Sequence, residues 1–199
     1  MRSGGIAAAL ALAGLACAPR PEPSPPPDWE LLVRAGDLTP FGVEVRDPEE
    51  LEVLERKTFG DGSTHLSYKF TNLDRERGAP ITLIVRLSLE RNEVVAERAY
   101  TERSSGTAIG ALGRDVRWDD AFFAWGDESR FGYIYVNDRP NGTLFHTRSG
   151  TCVYSFVVAG LVIDDPQAWR SLIVPRLEAL EGRGQPGGSG FDWLGWFRD

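Results

Sequence analysis

The chain is poor in the residues that most often carry chemistry. It has two cysteines, Cys17 and Cys152, and two histidines, His65 and His146, with no G-x-S-x-G, H-E-x-x-H, Walker-type or paired C-x-x-C motif. The local signatures of a hydrolase nucleophile, a zinc protease, a phosphate loop and a thiol redox centre are therefore all missing. There is no basic block: 22 Lys and Arg against 29 Asp and Glu leave a net charge of −7. That balance argues against wholesale nucleic-acid binding, because phosphate neutralisation needs clustered cations. No apolar run is long enough to span a bilayer. The run from Ile6 to Ala16 falls well short of the ~20 residues a spanning helix needs.

What is present is the composition of a globular protein. With 42% hydrophobic and 26% charged residues in 199, the chain can bury a real core and has room for one domain plus appendages. The start, residues 1–16, has the layout of a signal peptide: a basic Arg2, the apolar run, then small residues leading into Cys17. The segment Ala13-Gly14-Leu15-Ala16-Cys17 resembles the lipobox of bacterial lipoproteins, with Gly14 where leucine is commoner. The resemblance implies cleavage before Cys17 and attachment of diacylglycerol and a further acyl chain such as palmitate to that residue. Three acyl chains, at ~0.8 kcal/mol per buried CH₂, would hold the protein on a membrane. Ala18, in place of the Asp that retains such proteins at the inner membrane, implies the outer membrane with the domain facing the periplasm.

Residues 17–27 then form the lipidated cysteine and a spacer that holds six of the thirteen prolines, a composition that favours semi-rigid polyproline II. Residues 28–182 read as a single domain. Ile81, Leu83, Val85, Leu87 and Leu89 alternate at period two and predict a strand with one buried face. Leu51–Phe59 and Thr64–Thr71, joined by Gly60-Asp61-Gly62-Ser63, predict a hairpin. Ala121–Trp125, Arg130–Asn137, Thr143–Arg148 and Thr151–Gly160 predict further antiparallel strands, separated by turn chemistry that includes Asp138–Gly142. The last of these is apolar on both faces and should lie centrally. Asn92 should cap a helix over Glu93–Arg103 with a Val95, Ala96, Ala99, Tyr100 stripe. Asp164 or Asp165 should cap a second helix carrying Trp169, Leu172, Ile173, Leu177 and Leu180, with Pro175 kinking it.

The expected fold class is α+β: a mainly antiparallel sheet flanked by helices, as an α/β/α sandwich. Through Arg148–Phe156 running into Asp164-Asp165-Pro166 and the closing amphipathic helix, the domain is similar to the PsbP-like family. That resemblance implies a non-enzymatic role of the kind accessory and assembly factors have.

Candidate chemistry is sparse. His65, alternating with Ser67 and Lys69, and His146, alternating with Leu144 and Arg148, sit on strands opposite an apolar face and read as ordinary polar strand residues. Cys152 reads as a small buried hydrophobe and, with Cys17 lipidated, has no disulfide partner. Asp119, Asp120, Asp127 and Glu128 read as solvated turn carboxylates placed at opposite ends of one extended run. Trp118, Phe122, Trp125, Tyr133 and Tyr135 either fill the core or line a pocket. The G-x-G-x-x-G at Gly182–Gly187 follows a helix and so cannot cradle a pyrophosphate. It belongs instead to a glycine-rich linker that, with the aromatic tail, makes up residues 183–199.

In that tail Phe191, Trp193, Trp196 and Phe197 form an aromatic cluster with three readings: a contact for an envelope partner, a plug for a groove on its own domain, or an insertion into the membrane interface. The resulting expectation is a membrane-anchored envelope lipoprotein acting as a non-catalytic binding or accessory module. No catalytic, cofactor-binding or metal residue and no nucleic-acid partner is assigned. The alternative is a small-ligand carrier or hydrolytic enzyme using a pocket beside the sheet and the carboxylates near Asp119.

Overall fold

Period-two alternation with one apolar face forces strands to pair and then to be covered, and seven segments do so among the described residues. A computed structural model describes residues 27–45, 51–72, 80–105 and 115–181. The signal segment, Cys17, most of the spacer, the glycine linker and the aromatic tail lie outside the described residues. The strands are β1 (Glu52–Thr58), β2 (Thr64–Asn72), β3 (Ile81–Leu89), β4 (Asp115–Trp118), β5 (Glu128–Val136), β6 (Arg139–Ser149) and β7 (Cys152–Ala159). They form one open antiparallel sheet in the order β1-β2-β3-β7-β6-β5-β4. Among the described residues two helices, α1 (Glu93–Ser104) and α2 (Pro166–Glu181), and two short 3-10 segments, Pro27–Leu31 and Ala35–Phe41, accompany the sheet. The fold class is α+β.

The strand expected to be central is the middle one of the seven. Tyr154, Phe156 and Val158 of β7 enter the main core with Leu83, Val85 and Leu87 of β3 and with Trp169, Leu172, Ile173 and Leu177 of α2. The intervening Val153 packs on Ala96 and Tyr100 of α1. Neighbouring residues of a strand point to opposite faces, so α1 and α2 meet β7 from opposite sides. Both helix starts are capped as their sequences predict. Asn92 Oδ1 accepts from the Val95 amide at 3.0 Å, and Asp165 Oδ1 from those of Gln167 and Ala168 at 2.8 and 3.2 Å. Helix α2 runs continuously through Pro175. Pro175 and Ser171, whose carbonyl loses its helical partner to the proline, are both exposed, so water is at hand for the freed acceptor.

Several expectations need correction. Ala121–Trp125 is not a strand: the chain turns after Trp118, and Phe123 drops into the core against Trp169 and Phe145. The turn expected at Asp138–Gly142 is a tighter one at Asn137-Asp138, both at positive φ (51° and 59°), a conformation these residue types tolerate in two-residue hairpins. Strand β6 therefore starts at Arg139 and includes Pro140. Its ladder with β7 begins only at Gly142, so the proline's missing N–H faces no strand on that side. Another concerns His146 and is taken up below.

Residues 27–45, for which sequence periodicity predicts no element, build much of one core wall: Trp29, Leu32, Val33, Ala35, Leu38 and Val43 are buried. Two buried tyrosines hold this segment. The Ala35 amide donates to Tyr68 Oη at 2.9 Å and the Val33 amide to Tyr154 Oη at 3.3 Å, which satisfies backbone donors that no ladder reaches.

Candidate functional site

Residues directly opposite each other in an antiparallel ladder project from the same face. Followed strand by strand, the register places Glu55, Ser67, Arg86, Ser155, His146 and Arg130 in one row across β1, β2, β3, β7, β6 and β5. Every member is polar, on the face that carries α1. The next row adds Lys57, His65 and Ser88. A polar row through the middle of a sheet is costly to bury unless its members are paired or wet, and the two halves of this one meet that demand differently.

The half beneath α1 is sealed. His146 is 2% exposed and Ser155 6%, with His146 Nδ1 and Ser155 Oγ 2.9 Å apart. His146 Nε2 is buried without a hydrogen-bond partner. Burial, with smaller contributions from Arg103, Arg130 and Arg86, holds the imidazole down to about 3, so it is neutral at physiological pH. Sequence alternation places His146 among ordinary polar strand positions. Instead it is a buried neutral imidazole, because α1 covers its strand. A serine beside a histidine is a hydrolase arrangement only where the imidazole is a competent base and the hydroxyl is accessible, and neither holds here.

The other half opens. Arg86 is exposed in mid-strand, and a cavity of about 230 Å³ lies over it, lined by Glu55, Lys57, His65, Leu66, Ser67, Arg86 and Arg103. Arg103 reaches in from the last turn of α1. Its Nη1 donates to the Val153 carbonyl at 3.3 Å and its Nη2 to Ser88 Oγ. Burial lowers the guanidinium's pKa to about 10, with Glu90 acting against that shift and Arg86 adding to it. Glu90 is itself buried and sits 2.9 Å from His65 Nε2, so its carboxylate is committed to the histidine. Phe59 packs edge-on against the same imidazole. Glu55 lies 3.8 Å from Lys57, both exposed.

The other expected candidates are placed elsewhere. Asp119 and Asp120 are not held apart from Asp127 and Glu128 by an extended run, since the turn after Trp118 brings them back beside β5. Both Asp120 and Glu128 act on Tyr100, whose hydroxyl is raised to about 12 mainly by burial. Each set is neutralised by its own arginine: Asp120 by Arg130 at 3.7 Å, Asp127 and Glu128 by Arg148 at 3.2 and 2.7 Å. Asp120 also accepts from the Phe131 amide, which makes it a turn staple. Among the described residues no three His, Cys, Asp or Glu side chains form a metal-holding group. Phe122, Trp125 and Tyr133 pack on the main core. Trp118 lies on the α1 face, with the Arg130 guanidinium 3.9 Å over its ring; Gly132 opposite it leaves room for that ring. Cys152 is buried.

A second cavity, of about 470 Å³, lies between Gly36–Phe41 and α2, where Arg176 pairs with Asp37 at 2.6 Å. Lys57, Arg86, Glu90 and Arg103 escape a motif search because their strands and helix meet only in the folded chain. The one local signal is Arg86 itself, a charge in the middle of the most apolar strand. No family model, curated protein or solved structure matches the chain. The cavity is therefore read from its own chemistry.

Proposed function

We propose that this chain is a lipid-anchored protein of a bacterial envelope whose domain is a non-catalytic binding module, held through Cys17 at the outer membrane and facing the periplasm. The placement of α1 and α2 on opposite sides of β7 supports reading the domain as an α/β/α sandwich of the PsbP-like kind. The observation that carries the binding reading is the open half of the polar row. It offers a pocket with cationic and hydroxyl donors, while the hydrogen-bonded serine–histidine pair on that face, His146 and Ser155, is buried and its imidazole is a weak base. This favours a small-ligand carrier over the hydrolytic form of the alternative. The carboxylates at Asp119 and Asp120, which that form would use, are turn residues outside the pocket. Among the described residues no helix is long and apolar enough to cross a membrane, so the anchor rests on the lipobox.

Two experiments test the two halves of the proposal. Wild-type protein expressed in a diderm host should incorporate labelled palmitate and stay in the membrane fraction. Cys17→Ser should lose both properties, and retention of the variant in the detergent phase would contradict the anchor. For the module, a metabolite extract passed over the immobilised mature chain should leave a small molecule that is released unchanged on denaturation. Conversion of the retained molecule would speak for an enzyme, and an empty column against a carrier.

A further inference from the structure

We infer that the cavity over β1, β2 and β3 is a site for a small anion that presents carboxylate or phosphate oxygens to Arg86 and Arg103. The inference rests on the binding-module reading and narrows it to a ligand class. Its ground is that two arginines without a carboxylate partner line one cavity. Arg56, Arg91, Arg117, Arg130, Arg148 and Arg176 each have a carboxylate within 4.0 Å. In a chain with 29 acidic residues against 22 basic ones, that is the expected state. Arg34, Arg98, Arg139 and Arg170 have no carboxylate within that distance among the described residues either, and what sets Arg86 and Arg103 apart is that both line the same cavity. Among the described residues no carboxylate pairs with Arg86, and Arg103 donates only to a hydroxyl and a carbonyl. The nearby carboxylates are engaged elsewhere, Glu90 with His65 and Glu55 with Lys57.

Size and lining point the same way. About 230 Å³ is below the ~300–1,000 Å³ of pockets that enclose drug-sized ligands. Leu66 is the one apolar residue among the seven that line it, so an acyl chain or an aromatic ring would find little to pack on. Guanidinium groups present planar, always-charged donor forks that match carboxylate and phosphate oxygens. Ser67, opposite Arg86 on the floor, adds a hydroxyl donor. Arg103 is held by its bonds to β3 and β7, so little rotamer freedom is left to lose on binding.

The test uses the full mature chain in detergent and a zwitterionic buffer, titrated separately with inorganic phosphate, succinate and neutral glucose. Binding is followed by calorimetry and by amide NMR shifts. Phosphate or succinate should move the amides of Ser67, Arg86 and Ser88, and comparison of the two tells which oxyanion the site prefers. Because a hydrogen-bonded charge contributes the equivalent of about ten- to a hundredfold in affinity, Arg86→Gln should weaken binding by about that factor. Arg86→Lys should fall between, and Arg139→Gln, exposed at the start of β6, should match wild type. Arg86 is itself exposed, so its variants are expected to fold.

Equal affinity of wild type and Arg86→Gln, or shifts confined to other residues, would overturn the inference. If glucose moves the pocket amides and neither anion does, the anion class is wrong while the binding module stands. Silence of all three ligands also overturns the anion assignment, and the column experiment then decides the module separately.

Discussion

His146 shows what one side chain can do when a helix closes over its strand. Its site accepts only the neutral imidazole, because burial and the neighbouring arginines make the cation expensive. The folded value of about 3 lies below the ordinary 6.5. Between those limits the unfolded chain binds more protons than the folded one, so the stability this residue confers is complete above about pH 6.5 and drains as pH falls toward 3. At about 1.4 kcal/mol per pKa unit, the drop from pH 7 to pH 5 should cost on the order of 2 kcal/mol. His146→Gln, which keeps a polar group beside Ser155 but cannot titrate, should be less stable than wild type at pH 7 and lose about 2 kcal/mol less between pH 7 and pH 5. Urea denaturation of both proteins at the two pH values measures the difference. His65 is common to both and cancels. Parallel stability profiles would mean that water or a rearranged α1 reaches the imidazole.

At the scale of elements, α2 is fixed to the sheet by one side chain above the others. Trp169 is fully buried with Phe131, Phe145, Phe156 and Phe123 around it at ring separations of 5.2 to 5.9 Å, and its Nε1 finds no acceptor. Trp169→Ala should cost about 3–5 kcal/mol through lost burial and the cavity left behind. Trp169→Phe should cost about 2 kcal/mol less than that, since it keeps a ring in the cluster and removes the orphaned N–H. Denaturation midpoints of the two variants decide, and equal losses would mean that the cluster tolerates only the indole. The stripe that carries Trp169 was legible in the sequence, as were the caps Asn92 and Asp165, the alternation of β3 and the two-sided apolarity of β7, because each is a local pattern. The polar row was not. It exists only once β3 pairs with β7 across some seventy residues, as Arg86 opposite Ser155 does, and register of that kind leaves no trace in the periodicity of either strand. The turn after Trp118 was misread for a related reason. Phe122, Phe123 and Trp125 have strand-like character, but Phe123 is drawn into the α2 core, and tertiary packing overrides propensity.

For the whole molecule, the two faces of the sheet divide the work. The 3-10 segment Pro27–Leu31, where the chain enters the domain from the side of Cys17, packs on α2, and α2 ends at Glu181, where the chain leaves toward the aromatic tail. Entry and exit thus share the α2 layer, while Arg86, Arg103 and the cavity they line lie on the α1 face. On the proposed anchoring through Cys17, a tether attached at the α2 layer would leave the cavity on the other face clear of the membrane. The same division bears on the three readings of Phe191, Trp193, Trp196 and Phe197. If they plug their own domain, the cavity beside α2 is a candidate groove, but Asp37 and Arg176 bridge there at 2.6 Å, and inserting indole against that pair would desolvate both charges. The partner-contact reading avoids this cost. On that reading, deleting residues 191–199 should leave the urea midpoint unchanged to within about 0.5 kcal/mol and leave pocket affinity at its wild-type value, because the tail contributes to neither. A tail that plugs the groove would instead cost at least the burial of one tryptophan, on the order of 2 kcal/mol. It would also shield Arg183 from trypsin in the intact chain. Cleavage at Arg183 without loss of stability therefore supports the partner reading, and protection together with destabilisation on deletion would assign the aromatics to the domain itself.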